Sequence, residues 1–443
     1  MTTSSRSPLA VRDFRLLWFG ESVSVLGDQF ALVALPWLAL LLTGSPLALG
    51  TVLALMAVPR AVLMVVGGAY VDRLSPRTVM LVSNAVRLVA VALLGAVVLA
   101  GAAQLWMLYI FALVFGVADA FFYPAHTAIV PDLVSSEQLQ RANGIAQGTA
   151  QLSVLIGPAL AGLAIAGLSS AQAGPGLTGV GVALLIDALT FLVSLLALAL
   201  IKPRPAHPGA TATSVVTQIR EAVAFVWTKK ALRVVMLLSM FLNFLITGPF
   251  EVGIPVLAYS RLPEGAAAFG LITAAFGGGS VVGLVGATML PVLPKERFGT
   301  VMLLLIASTG VAIVAMAFAT TTIVAIAVSV IIGSILGYTN VSFLTWLQRR
   351  VPKALMGRVM SLLMFSSIAL VPISMAIAGA LVEFSLAGLF IVAGVGMALI
   401  TLLALLSRSV RQMGLEPVIE EESMPENEAT AGPNPVAQGA AAH

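Results

Sequence analysis

Ionisable residues inside long apolar segments are the part of this sequence best suited to chemistry. At the centre of a membrane-spanning helix a charged side chain costs about 2.5–3.5 kcal/mol, so it must be paired or must face a wet cavity. Asp28, between Gly27 and Gln29, makes a short polar interruption of this kind. A carboxyl group there is poorly solvated and can exchange a proton. The full set comprises Glu21, Asp28, Arg60, Arg87, Asp119, Asp187 and Glu251.

Asp28 has two interpretations. It lies about 21 Å along its segment, near the middle of a bilayer core about 30 Å thick, which favours a coupling carboxylate for which a proton and a cationic substrate compete. Alternatively, it forms a static ion pair with Arg60, whose depth of about 16 Å permits contact. Glu251, which follows Pro249 near the outer side, is the second coupling candidate. Its other interpretation is a side chain that reaches the membrane surface.

Arg87 and Asp119 are predicted to form a structural ion pair. They lie at depths of about 13 and 10 Å from the same membrane face, in consecutive segments. Asp187 lies toward the outer end of the sixth segment, and we interpret it as structural.

Several kinds of chemistry are excluded by residue types. Cysteine is absent and there are three histidines, which argues against disulfides, thiolate chemistry and a metal site. No serine–histidine–acid arrangement predicts a catalytic triad, and no glycine-rich nucleotide loop is present. We therefore expect no enzyme, no cofactor and no nucleic-acid partner.

The elements that position these residues are membrane helices. Hydrophobic residues make up 59% of the 443 residues and charged residues only 9%, with a mean hydropathy of +1.06. A soluble protein has about a quarter of its residues charged, so this apolar excess must face lipid. The predicted spans lie at about 14–42, 47–71, 78–100, 104–126, 142–168, 178–201, 232–258, 266–290, 299–319, 322–346, 358–381 and 384–407.

An internal repeat divides these twelve spans into two six-helix halves. Leu35-Pro36-Trp37-Leu38-Ala39 is echoed by Ile254-Pro255-Val256-Leu257-Ala258, and further echoes follow in order at a similar offset. The predicted organisation is a cytoplasmic N-terminus (1–13), a first half (14–201), a linker with an amphipathic helix (202–231), a second half (232–407) and a disordered cytoplasmic tail (408–443). Such a repeat implies a central pathway between the halves.

Lysine and arginine predict the orientation in the cell membrane. All but three of the 23 fall on one side, and the exceptions are Arg60 and Arg87 within spans and Arg261 on the opposite side. The positive-inside rule therefore places both termini in the cytoplasm.

Three local patterns resemble the major facilitator superfamily over about residues 10–410. Gly68-Ala69-Tyr70-Val71-Asp72-Arg73-Leu74-Ser75-Pro76-Arg77 resembles its signature between helices 2 and 3, and Gly157-Pro158-Ala159-Leu160-Ala161-Gly162 resembles its antiporter motif in helix 5. The third pattern is Phe121-Phe122-Tyr123-Pro124-Ala125, Pro131-Asp132-Leu133-Val134 and Ala142-Asn143-Gly144. It is similar to the branch of macrolide-efflux and enterobactin-export proteins.

The resemblance implies a twelve-helix exporter that works by alternating access and ion exchange. In its signature Gly68, Asp72, Arg73 and Arg77 act as a conformational latch, because an acid at the end of helix 2 can meet the positive end of a neighbouring helix. Alternatively, Arg73 and Arg77 only anchor the chain at the membrane surface. In helix 5, Gly157, Pro158 and Gly162 permit a bend or a close helix crossing.

The predicted function is a monomeric secondary transporter that exports amphipathic or cationic organic molecules, coupled to protons or another cation, across the lipid bilayer. The alternatives are an exporter of a specific metabolite such as a siderophore or a lipid, an uptake carrier, and a non-transporting membrane protein. Aromatic residues of spans 1, 4, 7 and 10 are candidates to line the pathway, and the alternative, expected for about half of them, is that they face lipid. They are Trp37, Phe111, Phe115, Phe121, Phe122, Phe241, Phe244, Phe250, Phe343 and Trp346.

Overall fold

The computed structural model describes residues 7–71, 74–168, 177–202, 230–291, 293–349, 351 and 353–406. Most of the predicted linker helix (219–229) and the tail 408–443 lie outside these residues. Within the described part, twelve helices are long and apolar enough to span a membrane, which confirms the predicted all-α membrane fold.

Ten of these helices are uninterrupted and two are broken. The uninterrupted ones are α1 (Arg12–Thr43), α2 (Pro46–Val71), α3 (Pro76–Leu99), α4 (Leu105–Leu133), α5 (Ser136–Leu168), α6 (Leu177–Ala199), α8 (Ala266–Met289), α9 (Lys295–Met316), α10 (Thr322–Gln348) and α12 (Leu386–Leu406). The broken helix α7 consists of Lys230–Gly248, a π-helical turn Pro249–Gly253 and Ile254–Arg261, and α11 consists of Lys353–Ala369 and Val371–Phe384.

Helix α4 is longer than the sequence suggests. It continues through Pro124 and Pro131 to Leu133, whereas the predicted span ends at 126. Proline removes one backbone donor, and a membrane helix tolerates this loss where the surrounding bundle can satisfy the freed carbonyl. The α1–α2 connection does follow turn chemistry: Gly44 ends α1 with φ +64°, and Pro46 begins α2.

A hydroxyl inserted into the backbone explains the irregular turn of α7. Ser374 Oγ of α11 donates a hydrogen bond of 2.5 Å to the Phe244 carbonyl and accepts one of 2.9 Å from the Gly248 N–H. These two backbone groups are four residues apart and would otherwise bond to each other. Together with Pro249, which lacks an N–H, the insertion opens the helix and produces the turn that carries Glu251.

The helices pack as two bundles, α1–α6 and α7–α12. Between the bundles, α2 packs against α11 and α5 packs against α8. We call the end where α1 begins the inner face, which is the predicted cytoplasmic side, and the end around residues 44, 262 and 385 the outer face. The contacts between the bundles decide which face is closed.

Candidate functional site

Close backbone packing of α5 against α8 closes the outer part of the passage between the halves. A Cβ atom added at Gly162 would lie 2.9 Å from Gly270 Cα, and one at Gly270 would overlap the Pro158 carbonyl oxygen. Glycine therefore lets these backbones touch. Of the helix-5 motif, Pro158 and Gly162 lie at this contact, whereas Gly157 faces α1, where a Cβ atom would lie 2.5 Å from Gln29 Cβ.

Glu383, near the end of α11, makes the polar contact of the outer closure. Its Oε1 accepts a hydrogen bond of 2.5 Å from the Ser45 hydroxyl and one of 3.2 Å from the Leu47 backbone N–H. Both donors lie at the N-terminal end of α2, where the helix dipole favours negative charge. A Cβ atom at Gly50 would also lie 2.9 Å from Gly379 Cα. Charge and close packing thus join the halves at the outer face.

Replacing Glu383 with glutamine should favour opening of the outer face. The substitution removes the charge that interacts with the α2 dipole, an effect worth about two- to fivefold in the conformational equilibrium. The chain has no native cysteine, and Met375 is buried beside the α2–α11 contact. We expect a single Met375→Cys site to react with a maleimide about two- to fivefold faster in the Glu383→Gln background.

Glu264→Gln is the matched control for Glu383→Gln. Glu264 is also a glutamate at the outer face, but it accepts its hydrogen bond from Thr322 of the same half. That bond also lowers the pKa of Glu264 below its ordinary value. Its substitution should leave the labelling rate unchanged. Equal rates in both variants would show that Glu383 does not hold the outer face closed.

A cavity of 1270 Å³ lies between the outer closure and the inner face. It is lined by α5 of the first half and by all six helices of the second half. Its polar surface is made of hydroxyls and the amides of Gln147, Gln151, Asn243 and Asn340. In the described part of the chain no charged side chain lines it. Gln147 and Asn340 are exposed at the inner end, so the structure is in an inward-facing state.

The aromatic lining of the cavity differs from the candidates of spans 1, 4, 7 and 10. Only Phe343 lines the cavity, where Phe276 and Phe298 join it instead. Trp37 packs edge-on against Tyr259 at the outer face, with ring centroids 5.6 Å apart. The physical reason is that the cavity is displaced into the second half, so α5 replaces α1 and α4 as the wall of the first half.

The Asp119 carboxylate holds two guanidinium groups. Arg87 contacts its Oδ1, and Arg60 Nη1 lies 3.3 Å from its Oδ2. The Arg87 side chain is 3% exposed, and its guanidinium lies 4.1 Å from the centre of the Phe122 ring, a cation–π contact. Arg60 therefore pairs with Asp119 and not with Asp28, the other partner considered from the sequence.

A second buried polar chain connects α1, α6 and α3. Glu21 Oε1 accepts a hydrogen bond of 2.8 Å from Ser194 Oγ, which accepts one of 2.9 Å from Asn84 Nδ2. All three residues are buried. Sequence analysis missed Ser194 and Asn84, because a search for charges inside spans passes over neutral polar residues. The only available signal was their position in otherwise apolar segments.

The two coupling candidates lie in different halves of the molecule. Asp28 is half-buried in α1, and among the described residues its Oδ1 has no hydrogen-bond partner. Glu251 is half-buried in the irregular turn of α7 and lies within electrostatic range of Arg60 in the first half. The irregular turn also packs against α2, the helix that carries Arg60.

The predicted latch is only partly described. Gly68 lies in α2, whereas Asp72 and Arg73 lie outside the described residues. Arg77 donates from Nε to the Leu198 carbonyl at 3.0 Å and from Nη2 to the Ala199 carbonyl at 2.8 Å. In this state Arg77 therefore caps the C-terminal end of α6 within its own half.

Comparisons with known proteins agree with this architecture. The sequence pattern of the Major Facilitator Superfamily matches residues 17–373. The multidrug efflux pump Tap of Mycobacterium tuberculosis (strain H37Rv) is 26% identical over 391 residues, which are 86% of this chain and 89% of Tap. Macrolide efflux protein A of Streptococcus pyogenes is 29% identical over 150 residues, which are 34% of this chain and 37% of that protein.

The fold is also similar to solved structures. A bacterial homologue of the iron transporter ferroportin, in an inward-facing state, superposes with a TM-score of 0.67 at 18% identity, covering 88% of this chain and 98% of that one.

Proposed function

The chain belongs to the Major Facilitator Superfamily and is a secondary transporter, and we propose that it exports amphipathic organic molecules in exchange for protons. The cavity is the observation that carries this proposal. It is large enough for a drug-sized molecule, since such ligand pockets measure about 300–1,000 Å³. Its wall combines four amides with methionines at 302, 360, 364 and 397.

The chemistry of the wall favours neutral or weakly cationic amphipathic substrates. Methionine adapts its shape to irregular ligands, and each amide offers both a donor and an acceptor. A strongly anionic substrate would find no guanidinium or ammonium partner among the described lining residues. The names of the relatives, a multidrug efflux pump and a macrolide efflux protein, support the same substrate class.

Export follows from the alternation of the two faces. In the present state a substrate reaches the cavity from the inner face, which the lysine and arginine distribution assigns to the cytoplasm. Opening of the outer contacts at Gly162 and Glu383 then releases it on the opposite side. Asp28 couples this change to protons in the proposal, with Glu251 as the second candidate. Asp72 latches the inner face, and the transporter works as a monomer.

A transport assay in inverted membrane vesicles tests the proposal. We expect an imposed pH gradient to drive uptake of at least one member of a panel that contains a macrolide, a cationic dye and a siderophore. Gln147→Leu should reduce that uptake several-fold, because it removes an amide from the cavity wall. Gln348→Leu, on the exposed inner end of α10, is the matched control and should transport normally.

The other functions give different results in the same assay. Transport of the siderophore alone would indicate a specific exporter. Movement in the opposite direction would indicate an uptake carrier. A chain that transports nothing in the panel and shows no proton movement would contradict the proposal.

A further inference from the structure

Asp187 is a buried carboxylate that neither the cavity nor the ion pairs at Asp119 use. It is 0% exposed, and its Oδ2 has no hydrogen-bond partner in the described part of the chain. The Thr190 hydroxyl lies 2.7 Å from the Asp187 carbonyl but 3.4 Å from its Oδ1. An ionised carboxylate with so few hydrogen bonds is strongly disfavoured away from water.

The contact between α1 and α6 brings Asp187 to the level of Asp28. A Cβ atom at Gly27 would lie 2.7 Å from Thr190 Cβ and closer still to its hydroxyl. Only glycine therefore allows the two helices to approach at this point. Asp28 follows Gly27 and Asp187 lies one helical turn from Thr190, so this contact places the two acids at the same level of two packed helices.

The charged groups around this pair do not balance. Asp119 already contacts both arginines. The charged groups within electrostatic range of Asp28 or Asp187 are Glu21 of α1, Arg60 of α2, Arg87 of α3 and Asp119 of α4. If all four acids were ionised, they would outnumber the two arginines by two, an excess that a low-dielectric interior disfavours and that each bound proton reduces by one.

We propose that Asp28 and Asp187 form one proton-binding unit, in which the two carboxyl groups share a proton. One proton supplies the O–H donor that Asp28 Oδ1 and Asp187 Oδ2 both lack. Asp28 is half-buried and Asp187 is fully buried, so Asp28 is the member through which the proton enters and leaves. Proton uptake changes the charge of the unit by one, and release in the other state reverses the change. The role of this unit in transport rests on the proposed function, whereas its binding of a proton does not.

Infrared titration of the purified full chain in lipid tests this unit without any substrate. Two carboxyl groups that share a site lose their protons in two coupled steps. We expect the difference spectrum between wild type and Asp187→Asn to show one carboxyl step lost. The remaining step should lie about one unit below the higher of the two wild-type steps, because ionisation beside an already charged neighbour no longer occurs. Asp28→Asn should show the reciprocal change.

Two further variants separate this unit from a purely structural role. Thr190→Val keeps both carboxyl groups but removes the nearby hydroxyl, so it should shift the coupled steps even if Asp187→Asn does not fold. Ser329→Ala removes a buried hydroxyl of the second half that has no hydrogen-bond partner among the described residues, and it should leave the titration unchanged. If the remaining step of Asp187→Asn coincides with a wild-type step and neither step shifts in Thr190→Val, the two acids do not form a unit. If the wild-type protein nevertheless couples transport to protons, the proposed function is still supported.

Discussion

Replacing Asp28 with asparagine should abolish transport driven by a pH gradient, while exchange of substrate without a gradient persists. Asparagine has nearly the same shape, so the α1 contacts at Gly27 and Gln29 remain, but it cannot bind and release a proton. The cavity is lined by other residues, so substrate binding should survive. The measurement compares gradient-driven uptake with counterflow in the same proteoliposomes. Gradient-driven uptake should fall to the level of vesicles without protein.

Asp132→Asn is the control for the loss of an aspartate charge, because Asp132 lies at the inner end of α4, away from the buried cluster. Gradient-driven uptake by Asp28→Asn at the wild-type rate would refute the coupling role and make Glu251→Gln the next variant to test. The sequence also allows a static Asp28–Arg60 pair, in which case Arg60→Gln would restore an unstable Asp28→Asn protein. Since Arg60 pairs with Asp119, we expect no such rescue.

Replacing Asp119 with asparagine should remove most of the yield of folded protein. Arg87 is almost fully buried and has its ionic contact at Asp119. Removing one partner of a buried ion pair costs about 3–5 kcal/mol, because the other charge is left uncompensated. We expect a large loss of monodisperse protein in size-exclusion chromatography and a lower Tm for the fraction that remains.

The double variant Arg87→Met, Asp119→Asn tests whether the uncompensated charge of Arg87 causes this loss of folded protein. If the uncompensated charge is responsible, removing Arg87 as well should recover much of the yield, since methionine fills similar space without a charge. Equal yield and Tm for Asp119→Asn and wild type would show that the contact contributes little. The cation–π contact of Arg87 with Phe122 would then be sufficient to hold the guanidinium.

The broad architecture was predictable because it depends on composition along the chain. A membrane core requires about 20 apolar residues per helix, and this requirement alone predicts twelve spans. Depth along a helix is also a one-dimensional quantity. Depth predicted similar levels for Arg87 and Asp119, and the structure places these two side chains in contact. The same measure could not decide between Asp28 and Asp119 as the partner of Arg60.

Cavity lining and pairing across helices were not predictable in this way. Of the ten aromatic candidates only Phe343 lines the cavity, because hydropathy does not distinguish a side chain that faces lipid from one that faces a cavity. The insertion of Ser374 into α7 and the capping of α2 by Glu383 join residues more than a hundred positions apart. No local pattern marks either contact.

The sequence by itself therefore determined the number of spans and their charges, and it predicts the repeat and, through the positive-inside rule, the orientation. Each of these depends on the free energy of placing a residue in lipid or water, which is a property of the residue and its near neighbours. Only the tertiary structure decided which acid holds Arg60, which helices close the outer face and where the cavity lies. Those features depend on helix rotation and on close approach at glycines such as Gly27 and Gly162, and both are set by the packing of the whole bundle.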